Sequence, residues 1–129
     1  MNPLAKVGQL ALIGLMLILT STLAIGQDKD AATAWKLIEQ GAMLVDVRTP
    51  EEYAAGHIEG AINIPYEEVA AEFAKRAIDK NTSVVLYCRS GRRSGVANEA
   101  LNAAGFTQVY NGGGYETLAQ SGKSGQSQK

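Results

Sequence analysis

Two short apolar runs constrain this chain more than anything else in it: "MLVDV" (Met43 to Val47) and "SVVLYC" (Ser83 to Cys88). Each is rich in Val, too short for a helix and apolar along nearly its whole length, which marks a buried strand. Segments with helical start and stop signals alternate with them. Asp28 or Asp30 can cap a helix over about 31–40 that turns Trp35, Leu37 and Ile38 inward and ends at Gly41. Thr49, Pro50 and Glu52 form the signature of a capping box with proline at the first helical position, and Gly56 stops that helix. "AINIP" (Ala61 to Pro65) reads as a brief strand. A helix over about 67–77 places Val69, Phe73 and Ala77 on one face. A further helix runs from Ser94 and closes at Gly105. "TQVYN" (Thr107 to Asn111) is a last strand, Gly112 to Gly114 a tight turn, and Tyr115 to Gln120 a short final helix. This alternation predicts an α/β fold with a small, mainly parallel sheet flanked by helices on both faces.

The ends differ from the middle. Residues 1–26 contain no acidic group and one basic residue, Lys6, followed by the apolar run Leu10 to Leu19. Ala24-Ile25-Gly26 fits a small-x-small cleavage rule, so residues 1–26 are expected to be a signal peptide, with Gln27 as the first residue of the mature chain. The alternative is an uncleaved anchor, against which the strictly apolar run falls short of the roughly 18 to 20 residues that span a bilayer. The expected destination is the periplasm or the exterior, with no stable membrane association after cleavage. Residues 27–119 form the domain. Residues 120–129, polar and rich in Gly, Ser and Gln, are expected to be a disordered tail. With 12 basic and 13 acidic residues the charge nearly balances, which argues against nucleic acid as a partner.

Cys88 is the single cysteine, so an internal disulfide is impossible. A lone cysteine is usually a buried core residue. Here its neighbours Arg89, Ser90, Gly91, Arg92 and Arg93 cannot all be buried cheaply, which places Cys88 at or near the surface. Strand, cysteine, short glycine-containing loop and helix, in that order, set the sulfur before the first free N–H groups of the helix. With Arg89, Arg92 and Arg93 adding positive field, the thiol is expected below its free value of about 8.5, as a nucleophilic thiolate. Asp46 and Arg48, at the end of the first run, are expected at the same sheet edge. Four residues separate Cys88 from Arg93, one fewer than in cysteine-based phosphatases, and Ser94 follows. The smaller loop suits a bound sulfur atom better than a tetrahedral phosphate.

"LVDVRTPEEYAAGHIEGAINIP" (Leu44 to Pro65) together with "YCRSGRRS" (Tyr87 to Ser94) closely resembles the single-domain rhodaneses, which are thiosulfate sulfurtransferases. The first stretch matches the family's Asp-Val-Arg entry and its Gly-His-Ile-x-Gly-Ala-x-Asn-Ile-Pro motif. The second matches its Cys-x-x-Gly-x-Arg-Ser loop. The resemblance runs over about residues 31–118. It implies a rhodanese-like domain and a two-step transfer in which Cys88 takes the outer sulfur of thiosulfate, releases sulfite, and passes the sulfur from a persulfide to cyanide or a thiol. The loop Arg89, Ser90, Gly91, Arg92, Arg93 and Ser94 would cradle the anionic sulfur with its amides. Arg93, then Arg89, would hold the sulfonate end of the donor, and Arg92 either joins them or faces solvent. The resemblance implies that Asp46 supports the loop; the carboxylate could accept from loop N–H groups or pair with Arg93 or Arg48. Arg48 either braces structure or attracts anionic donors. Neither a metal nor an organic cofactor is implied. Many members carry Gly-Gly-Trp-x-x-Trp near the end, where this chain has Gly113-Gly114-Tyr115-Glu116-Thr117-Leu118, so the pocket wall differs there.

His57, the only histidine, follows a helix stop and is expected to satisfy backbone groups, since an ionised thiol needs no base. Gly112 to Gly114 would let backbone approach the active-site edge. Glu67, Glu68 and Glu72 read as a solvated helix face. Two other functions use the same residues: a persulfide carrier that delivers sulfur without turnover, and a phosphatase or arsenate reductase. The sequence leaves the oligomeric state open.

Overall fold

The structure, a computed structural model, describes residues 29–127, with side chains through residue 122. The expected signal peptide and Asp28 lie outside the described residues. In chain order the elements are α1 (Ala31–Glu39), β1 (Met43–Asp46), α2 (Pro50–Ala55), β2 (Ile62–Asn63), α3 (Val69–Lys75), β3 (Val84–Cys88), α4 (Arg92–Ala103), β4 (Val109–Gly114) and α5 (Tyr115–Ser127). The sheet order is β2-β1-β3-β4 and every pairing is parallel. This is the α/β architecture that the strand and helix signals specify.

The two central strands bury both faces, as their composition requires. Val45, Val84, Leu86 and Cys88 point to one side, where they meet Phe73 of α3, Ala97 and Leu101 of α4, and Phe106. Leu44, Val85 and Tyr87 point to the other, against Ala34 of α1, Ile58 and Leu118 of α5. Local signals set the helix starts. Asp30 Oδ2 accepts from the Thr33 amide at 3.0 Å and caps α1. The Thr49–Glu52 capping box closes in both directions, at 3.2 and 3.0 Å.

Four boundaries differ from the sequence reading. Helix α3 stops at Lys75, and Ala77 is exposed with φ +51° instead of lying on the buried face. Ala77 makes a left-handed turn in which the Ile78 amide bonds Phe73 O, so Ile78 packs on the core in its place. Helix α4 starts two residues early, at Arg92, because Gly91 at φ +99° completes the turn out of the strand. Gly112 to Gly114 continue β4 rather than turning, with Cys88 opposite Gly114. Finally α5 runs to Ser127, so the stretch from residue 120 read as a disordered tail carries helix to that point. Trp35 anchors it: its indole N–H donates to Leu118 O at 2.7 Å, and its ring lies where a side chain on Gly122 would be.

Candidate active site

Strand β3 delivers Cys88 to the carboxyl edge of the sheet, and Arg89, Ser90 and Gly91 fold back over it before α4 begins. This close approach depends on glycine. A Cβ on Gly114 would sit 2.7 Å from Arg89 O, and one on Gly91 would sit 3.3 Å from Gly113 Cα. The expectation that the glycine run lets backbone approach the site therefore matches the geometry, although the run is strand and not turn.

Cys88 is 0% exposed, which corrects its expected place at the surface. The cationic neighbours do not need burial for the sulfur to be buried: Arg89, Ser90 and Arg92 point out, while Gly91 and Ser94 close underneath. The sulfur nevertheless faces the donors that a helix mouth supplies. The Gly91 amide donates to Sγ at 3.0 Å, and Ser94 Oγ lies 3.5 Å away. Burial pushes the thiol up, but hydrogen bonding at Ser94 and from the Gly91 and Ser90 amides brings it below its ordinary value. Hydrogen bonds therefore lead in lowering it, in line with the free N–H groups expected at the helix mouth.

Arg93 is the arginine the fold ties to the site. Its Nη1 and Nη2 bind Glu52 Oε1 and Oε2 at 2.8 and 3.0 Å, a two-pronged grip. Hydrogen bonding to Glu52 leads in raising its value further, with charge and hydrogen-bond contributions from Cys88 also acting. Glu52 is pulled down to about 2, chiefly by Arg93 against some burial, with Thr49 helping. The same carboxylate thus caps α2 and clamps the loop arginine. Arg89 and Arg92 are exposed, and Arg89 lines a cleft of about 400 Å³ with Arg48, Glu52, Ala55, Tyr115 and Glu116.

Asp46 and Arg48 stand apart from the sulfur. Asp46 pairs with Tyr87 in the parallel register, one residue before Cys88, so its side chain lies on the opposite face of the sheet. There it accepts from the Arg48 amide at 2.9 Å and from the Arg48 guanidinium at 2.6 Å. Arg48 also donates to Gly56 O at 2.7 Å and lies over the Tyr115 ring at 4.4 Å. The expected support of the loop by Asp46 is corrected: of the partners considered for it, the carboxylate takes Arg48. Arg48 in turn braces the β1–α2 connection.

Asn111 holds the loop instead, and the sequence reading did not single it out. Its Nδ2 donates to Gly91 O at 2.9 Å, while its Oδ1 accepts from Ser94 Oγ at 2.7 Å and from the Gly113 amide at 3.0 Å. The available signal was a lone amide side chain at the inner end of a strand, which must find partners if buried. His57 satisfies backbone as expected, with Nδ1 2.9 Å from Tyr53 O and its ring stacked on Tyr53 at 3.7 Å.

Comparison with known proteins places this geometry. The profile of the rhodanese-like domain matches residues 30–120. The chain is 48% identical over 75 residues to thiosulfate sulfurtransferase PspE of Escherichia coli strain K12, covering 58% of this chain and 72% of that protein. It is 36% identical over 105 residues to the chloroplastic thiosulfate sulfurtransferase 16 of Arabidopsis thaliana, covering 69% and 83%. Among solved structures, a rhodanese with anions from E. coli superposes with a TM-score of 0.58 at 46% identity, over 61% of this chain and 93% of that one. The human single-domain sulfurtransferase TSTD1 gives the same TM-score at 30% identity, over 69% and 91%. A cysteine at the mouth of a helix, on a parallel sheet of this order and within a profile match that spans the described domain, leads to one conclusion: the chain belongs to the rhodanese-like domain family.

Proposed function

We propose that the protein is a thiosulfate sulfurtransferase whose sulfur carrier is Cys88. The observation that carries the reading is a sulfur aimed into its own loop amides, with Arg93 held beside it by Glu52. The thiolate attacks the outer sulfur of thiosulfate. A new S–S bond forms, the old one breaks, and its electron pair leaves with sulfite. One negative charge remains on the terminal sulfur, where the amides of residues 89–94 stabilise it. A thiol or cyanide then takes that sulfur and restores the thiolate. Arg93, with Arg89 at the mouth, attracts the doubly charged donor. The loop covers the sulfur, so the exposed Arg89–Ser90 segment must yield for the donor to enter. The basic, apolar and small-residue succession of residues 1–26 supports export to the periplasm or beyond, with Gln27 as the new N-terminus.

Intact-mass spectrometry before and after thiosulfate tests the reading. The expected result is a gain of about one sulfur atom per chain, lost on adding cyanide and absent in Cys88→Ser. Loading with no turnover on cyanide or small thiols would mark a sulfur carrier. No loading, with hydrolysis of an aryl phosphate, would mark a phosphatase. The same spectra of protein recovered after export read the cleavage site.

A further inference from the structure

Ser94 has one hydroxyl proton and two acceptors in front of it. Its Oγ lies 2.7 Å from Asn111 Oδ1 and 3.5 Å from Cys88 Sγ. Which acceptor takes the proton depends on how the Asn111 amide is turned, and two backbone groups decide that. Nδ2 donates to Gly91 O at 2.9 Å and Oδ1 accepts from the Gly113 amide at 3.0 Å. Turning the amide over would set oxygen against carbonyl and NH₂ against N–H, in a place where Asn111 is 5% and Ser94 0% exposed. Oδ1 can only accept, so Ser94 is the donor in the short contact. A 2.7 Å O–H···O contact is at its optimum, whereas 3.5 Å to sulfur is long.

We propose that Asn111 is a positioning residue for Cys88: by keeping the Ser94 hydroxyl proton on itself, it turns an Oγ lone pair toward the sulfur, so that Ser94 accepts from the resting thiol instead of donating to the thiolate. The amides of Ser90, Gly91 and Ser94 favour the anion, and this hydroxyl opposes them. More of the resting sulfur is then held as a buried, hydrogen-bonded thiol, a poorer target for oxidants than an open thiolate. The inference rests on the sulfurtransferase reading for its consequence alone, since titrating the thiol requires no turnover.

Other charged and titratable groups surround the site. Arg93 reaches it from α4 and brings Glu52 of α2, while Arg89 and Arg92 are exposed on the loop. Lys29 packs on Gly91 and Gly113. Tyr66 lies against the same core, and on α3 Glu72 pairs with Arg76. Asp46, Arg48 and Tyr87 occupy the opposite face. All of these are retained when Ser94 is changed, so that variant isolates the hydroxyl; changing Asn111 also frees Gly91 O and the Gly113 amide, an effect common to both Ser94 backgrounds.

The test is a pH titration of thiolate ultraviolet absorbance, with Cys88→Ser subtracted to remove tyrosine. Because Cys88 is the single cysteine, the signal belongs to it alone. Ser94→Ala is expected to lower the midpoint by about half a unit, roughly a threefold rise in thiolate below it. Asn111→Ala, by freeing the Ser94 hydroxyl to donate to sulfur, is expected to move the midpoint lower when Ser94 is present than in the Ser94→Ala background, where only its effect on the loop remains. A rise or no change in Ser94→Ala overturns the proposal, as does an Asn111→Ala shift of equal size in both backgrounds. If Asn111→Ala does not fold, Ser94→Ala decides alone. Absence of sulfur loading in the wild type would remove the sulfurtransferase reading and leave this titration intact.

Discussion

Arg93 and Arg92 are adjacent in sequence and differ in everything that matters for an anion. Arg93 is gripped by Glu52 and linked electrostatically to Cys88, while Arg92 is exposed at the first turn of α4. Arg93→Ala is therefore expected to lower kcat/KM for thiosulfate by about a hundredfold, as for loss of one preorganised donor. Arg92→Ala should change it by less than about threefold, as for an exposed side chain. Steady-state thiosulfate:cyanide assays compare them, and equal losses would remove Arg93 from its assigned place. Asp46 makes the opposite case. Its pairing with Arg48 is buried and faces away from the sulfur, so Asp46→Ala should cost about 3–5 kcal/mol of stability by leaving a buried cation unpaired. Urea denaturation measures that loss, and sulfur transfer per folded molecule should survive. Lost transfer with unchanged stability would restore the carboxylate to the loop. The sequence placed Asp46 and Cys88 at one edge correctly but not on their faces. Faces follow from strand register, and register is set between segments some forty residues apart.

At the scale of elements, the capping box of α2 was legible because both partners lie within four residues, and the same locality made β1 and β3 legible from their composition. Strand β4 was legible only as far as Asn111, because the three glycines after it read as a turn unless a neighbouring strand is known to pair with them. That pairing has a testable cost. Gly114 lies where a Cβ would meet Arg89 O at 2.7 Å, so Gly114→Ala must push the loop outward. The expected penalty is about 1–3 kcal/mol of stability, typical of overpacking. The folded fraction should lose at least about tenfold in sulfur transfer, because the amides that cradle the sulfur move with Arg89. Thermal melts and assays on the same preparation separate the two effects. Transfer unchanged in the folded variant would mean that the loop tolerates displacement. Helix α5 teaches the same lesson: its polar, glycine-rich end carries little helical signal of its own, and the anchoring by Trp35 comes from a helix more than eighty residues earlier.

For the molecule as a whole, Glu52 joins the β1–α2 corner to the Cys88 loop, and its titration should appear in overall stability. Its folded value is depressed from 4.5 to about 2, so its contribution is complete above about 4.5 and is lost as pH falls toward 2. The melting temperature of the wild type is expected to fall through that window, and that of Glu52→Gln, which keeps a capping side chain, to fall less steeply. Parallel profiles would show that the clamp adds nothing to stability. The chain by itself determined the α/β class, the chemistry-bearing loop and its resemblance to the rhodaneses, because these are written in local composition and spacing. Only the tertiary structure decided that Cys88 is covered, that Arg48 takes the carboxylate of Asp46, and that Glu52 and Asn111 hold the loop. Those outcomes depend on which face each residue occupies and on which distant group fills the space beside it, and neither can be counted along the chain.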